Sequence, residues 1–217
     1  MRALASHRRI GTPFLVLCGL LLALAPCAPA RANTSSDEIA FLEQQVAAAP
    51  RDPDAHFDLA MAYARTPDLE KAWAELKEVD QLDPAYADQL ITKLKPLSQA
   101  NPDNIEVLFR LGFAYYFRGF YNHDAADKAK ARAEFQDILA VDPEYVWALD
   151  YLSYLTYDAG DLSGALDLAR KATAADPNNA VAHFLLGEGL FKAKQPFAAA
   201  LQMAQAMALR GAVDLHP

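Results

Sequence analysis

The sequence predicts an all-α chain, a solenoid of antiparallel helical hairpins, and three observations carry that prediction. Asp142-Pro143 and Asp176-Pro177 set their prolines about 34 residues apart, and the intervals from Pro50 to Pro84 and from Pro177 to Gly211 repeat that spacing, which marks one helix–turn–helix unit per copy. Between these marks apolar residues recur at three and four residues, the period of a helix face. Each pair of stripes is split by a short break: Thr66-Pro67-Asp68, Gly160-Asp161 or Gln195-Pro196.

The repeats begin after a different kind of segment. Arg2, His7, Arg8 and Arg9 make a basic start, residues 14–25 are an apolar run, and Ala30-Arg31-Ala32 supplies a small-x-small cleavage site. The run is too short to span a bilayer comfortably. The pattern is that of a secretory signal peptide cut after Ala32, which implies a periplasmic or secreted protein. Leu24-Ala25-Pro26-Cys27 faintly resembles a lipoprotein signal, although proline beside Cys27 disfavours it. Arg8-Arg9 is a twin-arginine pair in a poor context.

The whole chain has 20 Lys+Arg, 28 Asp+Glu and a net charge of −8; cleavage removes four arginines and no acid, leaving −12. That acidity argues against nucleic acid, which needs basic patches. Both cysteines, Cys18 and Cys27, leave with the signal, so no disulfide, thiol nucleophile or thiolate metal site is expected. The remaining chain is long enough to rest on its core alone. Asn33-Thr34-Ser35 reads as a glycosylation sequon, of no consequence in a bacterial protein.

In order, the chain divides into residues 1–32 (signal), 33–50 (a capping helix), 51–84 (a hairpin), 85–101 (a single extra helix), 102–143 (a hairpin with an inserted loop), 144–177 and 178–211 (hairpins) and 212–217 (a tail). Ser36 caps a helix striped by Ile39, Leu42 and Val46 and stopped by Pro50. Leu59, Ala60 and Tyr63, then Ala72, Leu76 and Val79, form the first hairpin, with Asp68 capping its second helix. Tyr86, Leu90, Ile91, Leu94 and Leu97 make the extra helix, which Pro96 should kink or end. The unit from Pro102 to Pro143 exceeds the period by seven, and the excess is placed in a loop within 117–128. Gly211 should end the last helix.

The small residues have a steric reading. Gly112 and Gly187 sit mid-helix, where glycine costs about 1 kcal/mol relative to alanine, so a facing helix must approach closely. Ala72, Ala131, Ala165 and Ala199 would meet it from the other side. Each Asp-Pro pair ends a helix, since the residue before proline avoids the α region, and the proline can start the next helix.

Leu111-Gly112, Tyr115, Ala131, Phe135 and Pro143, with Leu186-Gly187, Ala199 and Ala206, resemble the tetratricopeptide repeat family over about residues 50–211. Ser153 stands where its small glycine is usual, and Leu190 where its tyrosine is. The resemblance implies a right-handed superhelix of about four hairpins plus single extra helices. It implies no common catalytic chemistry, and a concave face, lined by first helices, that holds peptides or helices of another protein. The family's groove positions fall on Phe57 and Met61; on Phe109, Phe113, Tyr116 and Phe117; on Trp147, Asp150, Tyr151, Tyr154 and Tyr157; and on Phe184, Glu188 and Phe191. The Lys/Arg/Asn clamp with which some members hold a C-terminal carboxylate is largely missing. The expected ligand is therefore an apolar peptide or amphipathic helix on an aromatic surface. An equally simple reading makes these aromatics core, with the groove filled by the helix of 86–97 or by the N-terminal helix.

Residues 197–209 hold only Gln202 and Gln205 as polar side chains. A terminal repeat needs a polar outer face, so Phe197, Leu201, Met203 and Met207 are expected to serve self-association or docking. No enzyme is expected: His56, His123, His183 and His216 form no His-Glu-x-x-His pattern, and His123, Asp124 and Asp127 read as a solvated loop rather than a metal site. Neither a cofactor nor a membrane span after signal removal is expected. The composite expectation is an adaptor or scaffold in assembly of an envelope complex; the alternative is a structural subunit of a larger envelope machine, docked through its last helix.

Overall fold

The computed structural model describes residues 36–213, so the signal-like segment lies outside the described residues. Among these residues there are ten helices and no strand: α1 (Ser36–Ala48), α2 (Pro53–Tyr63), α3 (Leu69–Leu82), α4 (Tyr86–Ala100), α5 (Ile105–Tyr121), α6 (Ala125–Val141), α7 (Val146–Asp158), α8 (Leu162–Ala175), α9 (Ala180–Lys192) and α10 (Pro196–Val213). The main hairpins are α2–α3, α5–α6, α7–α8 and α9–α10, with α4 packed on α5 and α1 on α2. No described helix is long and apolar enough to cross a membrane.

The Asp-Pro marks work as turns rather than as helix starts. Asp83, Asp142 and Asp176 are extended C-caps whose Oδ1 accepts from the backbone N–H two residues on, at 2.9, 3.1 and 2.9 Å. The next helices begin two or three residues after each proline. Of the Asp-Pro prolines, Pro53 occupies a first helical position, behind its cap Asp52. Asn104, Asp124, Asp161 and Asn179 also cap helices through side-chain oxygens. Asp68 makes no such bond; instead its own N–H donates to Thr66 Oγ1. Asp158, at the end of α7, pairs with Lys128 of α6 at 3.0 Å.

Three further expectations are corrected. The seven extra residues of 102–143 are not a loop: α5 is four residues longer than α7 and α6 three longer than α8, so the insertion extends both helices. Phe117, Phe120 and Tyr121 continue the helical face, and a three-residue turn with His123 in the left-handed region (φ 54°) closes the hairpin. Pro96 does not end α4, which runs on to Ala100. Pro96 and Thr92 are both exposed, so water can satisfy the carbonyl that the missing N–H leaves free. Finally, α10 continues through Gly211 to Val213.

The close approaches are where the small residues stand. A Cβ on Gly112 would lie 3.1 Å from Glu134 Cβ and 3.2 Å from a Phe135 ring carbon, and one on Gly187 2.8 Å from Met203 Cγ. Ala72, Ala131, Ala165 and Ala199 are buried. Ser153 uses the same closeness to donate to the Ala165 carbonyl at 2.9 Å. His56 and His183, equivalent in their hairpins, each bridge to the carbonyl six residues earlier (Pro50, Pro177) and to the partner helix (Glu75, Gln202).

The long hairpin has its own polar clasp. Arg118 of α5 makes a bidentate contact with Asp127 of α6 at 2.6 and 2.9 Å and pairs with Asp88 of α4. Its hydrogen bonds hold the Asp127 carboxyl below its ordinary range. Arg118→Met should destabilise the chain by about 2–3 kcal/mol in denaturant unfolding, because a buried carboxylate is left with Lys130 alone. Asp127→Asn in the same background should recover part of the loss.

Candidate functional site

An aromatic cavity of about 190 Å³ opens between α3, α5, α7 and α9. The family pattern puts such a surface on first helices alone. Here one wall is α3, a second helix, which contributes Leu69, Ala72, Trp73 and Leu76. The floor is Phe113 and Tyr116 of α5 with Trp147, Asp150, Tyr151 and Tyr154 of α7. The opposite wall is Val181, Phe184, Leu185 and Glu188 of α9.

The reason lies in the tilt of the first hairpin, which leans over the inner faces of α5 and α7. Trp73 packs on Tyr116 and Phe117 with ring centroids 6.0 and 6.5 Å apart. The Tyr121 hydroxyl donates to Asp80 at the far end of α3. At the near end the Tyr151 hydroxyl donates to the Ala64 carbonyl at 3.0 Å, and the Arg65 guanidinium sits 4.4 Å above the Phe109 ring.

That tilt sorts the expected groove residues. Phe57, Met61, Phe109 and Phe117 are core side chains, a correction to the groove reading: Phe57 is enclosed by Tyr86 of α4 and Phe113, and Phe109 by Arg65, Phe135 and Tyr151. Phe113, Tyr116, Trp147, Tyr151, Tyr154 and Phe184 line the cavity. Tyr157 lies in a small depression beside it with Leu185 and Glu188. Phe191 is 62% exposed and lines neither. The helices α1 and α4, which the sequence offered as groove fillers, contribute nothing to the cavity wall; the first hairpin closes that end instead.

Leu69, Trp73 and Leu76 were not foreseen in the site. The signal was present: Leu69 and Trp73 widen the stripe of Ala72, Leu76 and Val79 beyond what one hairpin contact needs. Trp73 remains 37% exposed after packing.

The polar groups of the cavity are few. Asp150 is 3% exposed; its Oδ2 accepts from Asn179 Nδ2 at 2.5 Å, and its Oδ1 has no hydrogen-bond partner. Burial pushes its carboxyl up to about 8, opposed by the Asn179 bond, with the nearby Asp176 charge raising it further. Burial likewise raises the Tyr116 and Tyr151 hydroxyls, which stay neutral at physiological pH. No residue lining the cavity is basic. Among the described residues no group of three or more His, Cys, Asp and Glu is placed to hold a metal. Asp124 caps α6 and Asp127 is tied to Arg118.

A family model described as tetratricopeptide repeat matches residues 32–94. The solved structure of TTC0263, a thermophilic TPR protein of Thermus thermophilus, superposes with a TM-score of 0.52 at 16% identity, covering 79% of this chain and 81% of that one. The fold is that of a tetratricopeptide repeat protein. The crystal structure of MamA gives a TM-score of 0.46 at 17% identity over 82% of this chain and 90% of that one. MamA from Desulfovibrio magneticus RS-1 gives 0.43 at 18%, over 81% and 85%. No curated protein matches the repeat chain in sequence. Repeat folds of this kind present extended concave surfaces on which other proteins can bind.

The outer face of α10 is separate from the cavity. Phe197 is 92% exposed, Leu201 68% and Met207 75%. Met203, expected on that face, is turned inward under Gly187 and belongs to the α9–α10 contact.

Proposed function

We propose that the repeat chain is a non-enzymatic adaptor, acting in assembly of an envelope complex, that captures an apolar segment of another protein by seating its side chains in the cavity between α3 and α9. The observation that carries this is the cavity itself, with Trp73 and Phe184 on its walls and Trp147 and Tyr154 on its floor. Aromatic side chains of this size dominate interface energetics. The segment lies across the mouth and inserts side chains among these rings.

The chain contains two tryptophans, Trp73 and Trp147, and both line the cavity, so intrinsic fluorescence reports on its occupancy. Peptides selected from a random library on the purified chain should shift that emission. Tyr154→Ala should weaken them at least tenfold while the melting temperature moves by about 2 °C or less, since Tyr154 is only half-buried. Tight peptides that leave the emission unchanged and ignore Tyr154→Ala would overturn the reading.

The basic, apolar and small-residue order of 1–32 supports export of this adaptor to the periplasm or medium. Recovery of a chain beginning at Asn33 from envelope or culture fractions tests that. A second reading, a structural subunit held through α10, is favoured by the exposure of Phe197, Leu201 and Met207. Sedimentation showing a monomer at every concentration, with no stoichiometric partner in envelope pull-downs, would exclude it.

A further inference from the structure

The wall of the aromatic cavity contains something an apolar peptide does not need: a buried carboxyl group, Asp150, one of whose oxygens has no partner. Buried polar atoms are almost always hydrogen-bonded, and an exception calls for a reason. Asp150 shares the lining face of α7 with Trp147 and Tyr154, three residues before it and four after. Its Oδ2 is held by Asn179, and its Oδ1 is left over. Across the cavity Glu188 of α9 presents a second, exposed carboxylate close enough to Tyr154 to act on its hydroxyl. No base lines the site to neutralise either acid. Arg65, the cation that acts on the Tyr151 hydroxyl, is already engaged by Glu106 at 3.1 Å and by the Phe109 ring.

Around these two acids stand Trp73, Tyr116, Trp147, Tyr154 and Phe184. Aromatic faces carry a negative quadrupole and attract cations, tryptophan most strongly. The tyrosines are neutral, so they act through their faces. A ring of such faces, with the Glu188 carboxylate at its edge and the Asp150 carboxyl ready to ionise beside a cation, suits a positive head on an apolar stem. The volume suits one long side chain, and the chain's net charge of −8 favours approach of a basic partner.

We propose that this cavity receives a cationic side chain of the partner segment, an arginine or lysine, its stem against the aromatic faces and its charged head between Asp150 and Glu188. This rests on the reading of the cavity as the peptide site and names the anchor that site selects. Oδ1 is covered in the free chain, so the entering head displaces the side chains over it to supply the hydrogen bond it lacks, and the flanking apolar residues of the segment cover Trp73 and Phe184.

The test uses single-residue probes titrated into the purified chain with tryptophan emission as readout: N-acetyl-arginine amide, N-acetyl-lysine amide, and their neutral counterparts N-acetyl-citrulline amide and N-acetyl-norleucine amide. The basic probes should saturate the emission change at concentrations at least tenfold below those of the neutral ones. Asp150→Asn should abolish that preference, and Glu188→Gln, a change at an exposed residue, should reduce it several-fold without altering the fold. Tyr154→Ala should weaken all four. Should norleucine amide saturate as readily as arginine amide, the cavity is an apolar anchor site; the inference then fails and the peptide reading stands. Should the preference survive in both Asp150→Asn and Glu188→Gln, the inference also fails. Should no probe up to tens of millimolar, and no selected peptide, move the emission, both fall together.

Discussion

Truncating Phe109 to alanine is expected to cost the fold about 3–5 kcal/mol, the range for a large aromatic removed from a packed core. The ring is fully buried and meets Phe135 and Tyr151 edge-on at 5.7 and 5.9 Å, with Phe113 stacked at 6.3 Å. The Arg65 guanidinium covers it from the α2–α3 turn. The substitution therefore removes one of the contacts that hold the first hairpin over α5, beyond the loss of apolar area. In a chain of this size the melting temperature should fall by roughly 10 °C or more. Phe197→Ala, at a ring almost wholly in water, should leave it within about 1 °C. Equal effects at the two positions would show that the first hairpin does not close over α5 as described.

Phe109 also shows where reading from the sequence stops. Its spacing in α5 is the same as that of Trp147 and Tyr151 in α7, and helical period cannot tell a lining aromatic from a buried one. What separates them is a tertiary fact, the tilt of a hairpin far back along the chain. That tilt is fixed by contacts between Ala64 and Tyr151 and between Trp73 and Tyr116. Features that depend on one hairpin alone were legible. The repeat period, the close approach at Gly112 and Gly187, the break at Gly160-Asp161 and the regular α7–α8 unit need only local geometry. The seven extra residues of 102–143 were counted correctly and placed wrongly. A count says how much chain is added, and only the continued face of Phe117, Phe120 and Tyr121, with Arg118 and Asp127 nine residues apart, says that it is helical. Asp150 and Glu188 were picked out by position in the repeat. That Oδ1 would be left without a partner depends on where Asn179 and the neighbouring walls come to rest.

Asp150→Asn should make the chain more stable above neutral pH, the reverse of the usual effect of a substitution at a buried site. The group's carboxyl lies at about 8 in the fold, against 3.8 for an unburied aspartate. The folded state thus holds a proton that the unfolded chain gives up above pH 4. Its contribution is intact below about pH 4, is lost progressively as pH rises from 4 to 8, and is constant beyond. The slope in that window is about 1.4 kcal/mol for each pH unit. Asparagine reproduces the neutral acid: its carbonyl can accept from Asn179, and its side chain does not ionise. Wild type and variant should therefore match near pH 4 and diverge steadily, with the variant ahead by several kcal/mol at pH 9 in urea unfolding, about 1.4 for each of roughly four pH units. Taking the difference between the two proteins cancels the other groups that titrate in this range, including Glu134, which burial raises to about 7. The charge facing Asp150 from the adjoining turn is Asp176, and it acts in the same direction as burial. Saturating arginine amide should flatten the wild-type curve and leave the variant's unchanged, because a cation beside Oδ1 stabilises the ionised form. A difference that is flat across pH 4–9 would mean that Asp150 is already ionised and paired, and that the cavity has no charge left to offer a basic anchor.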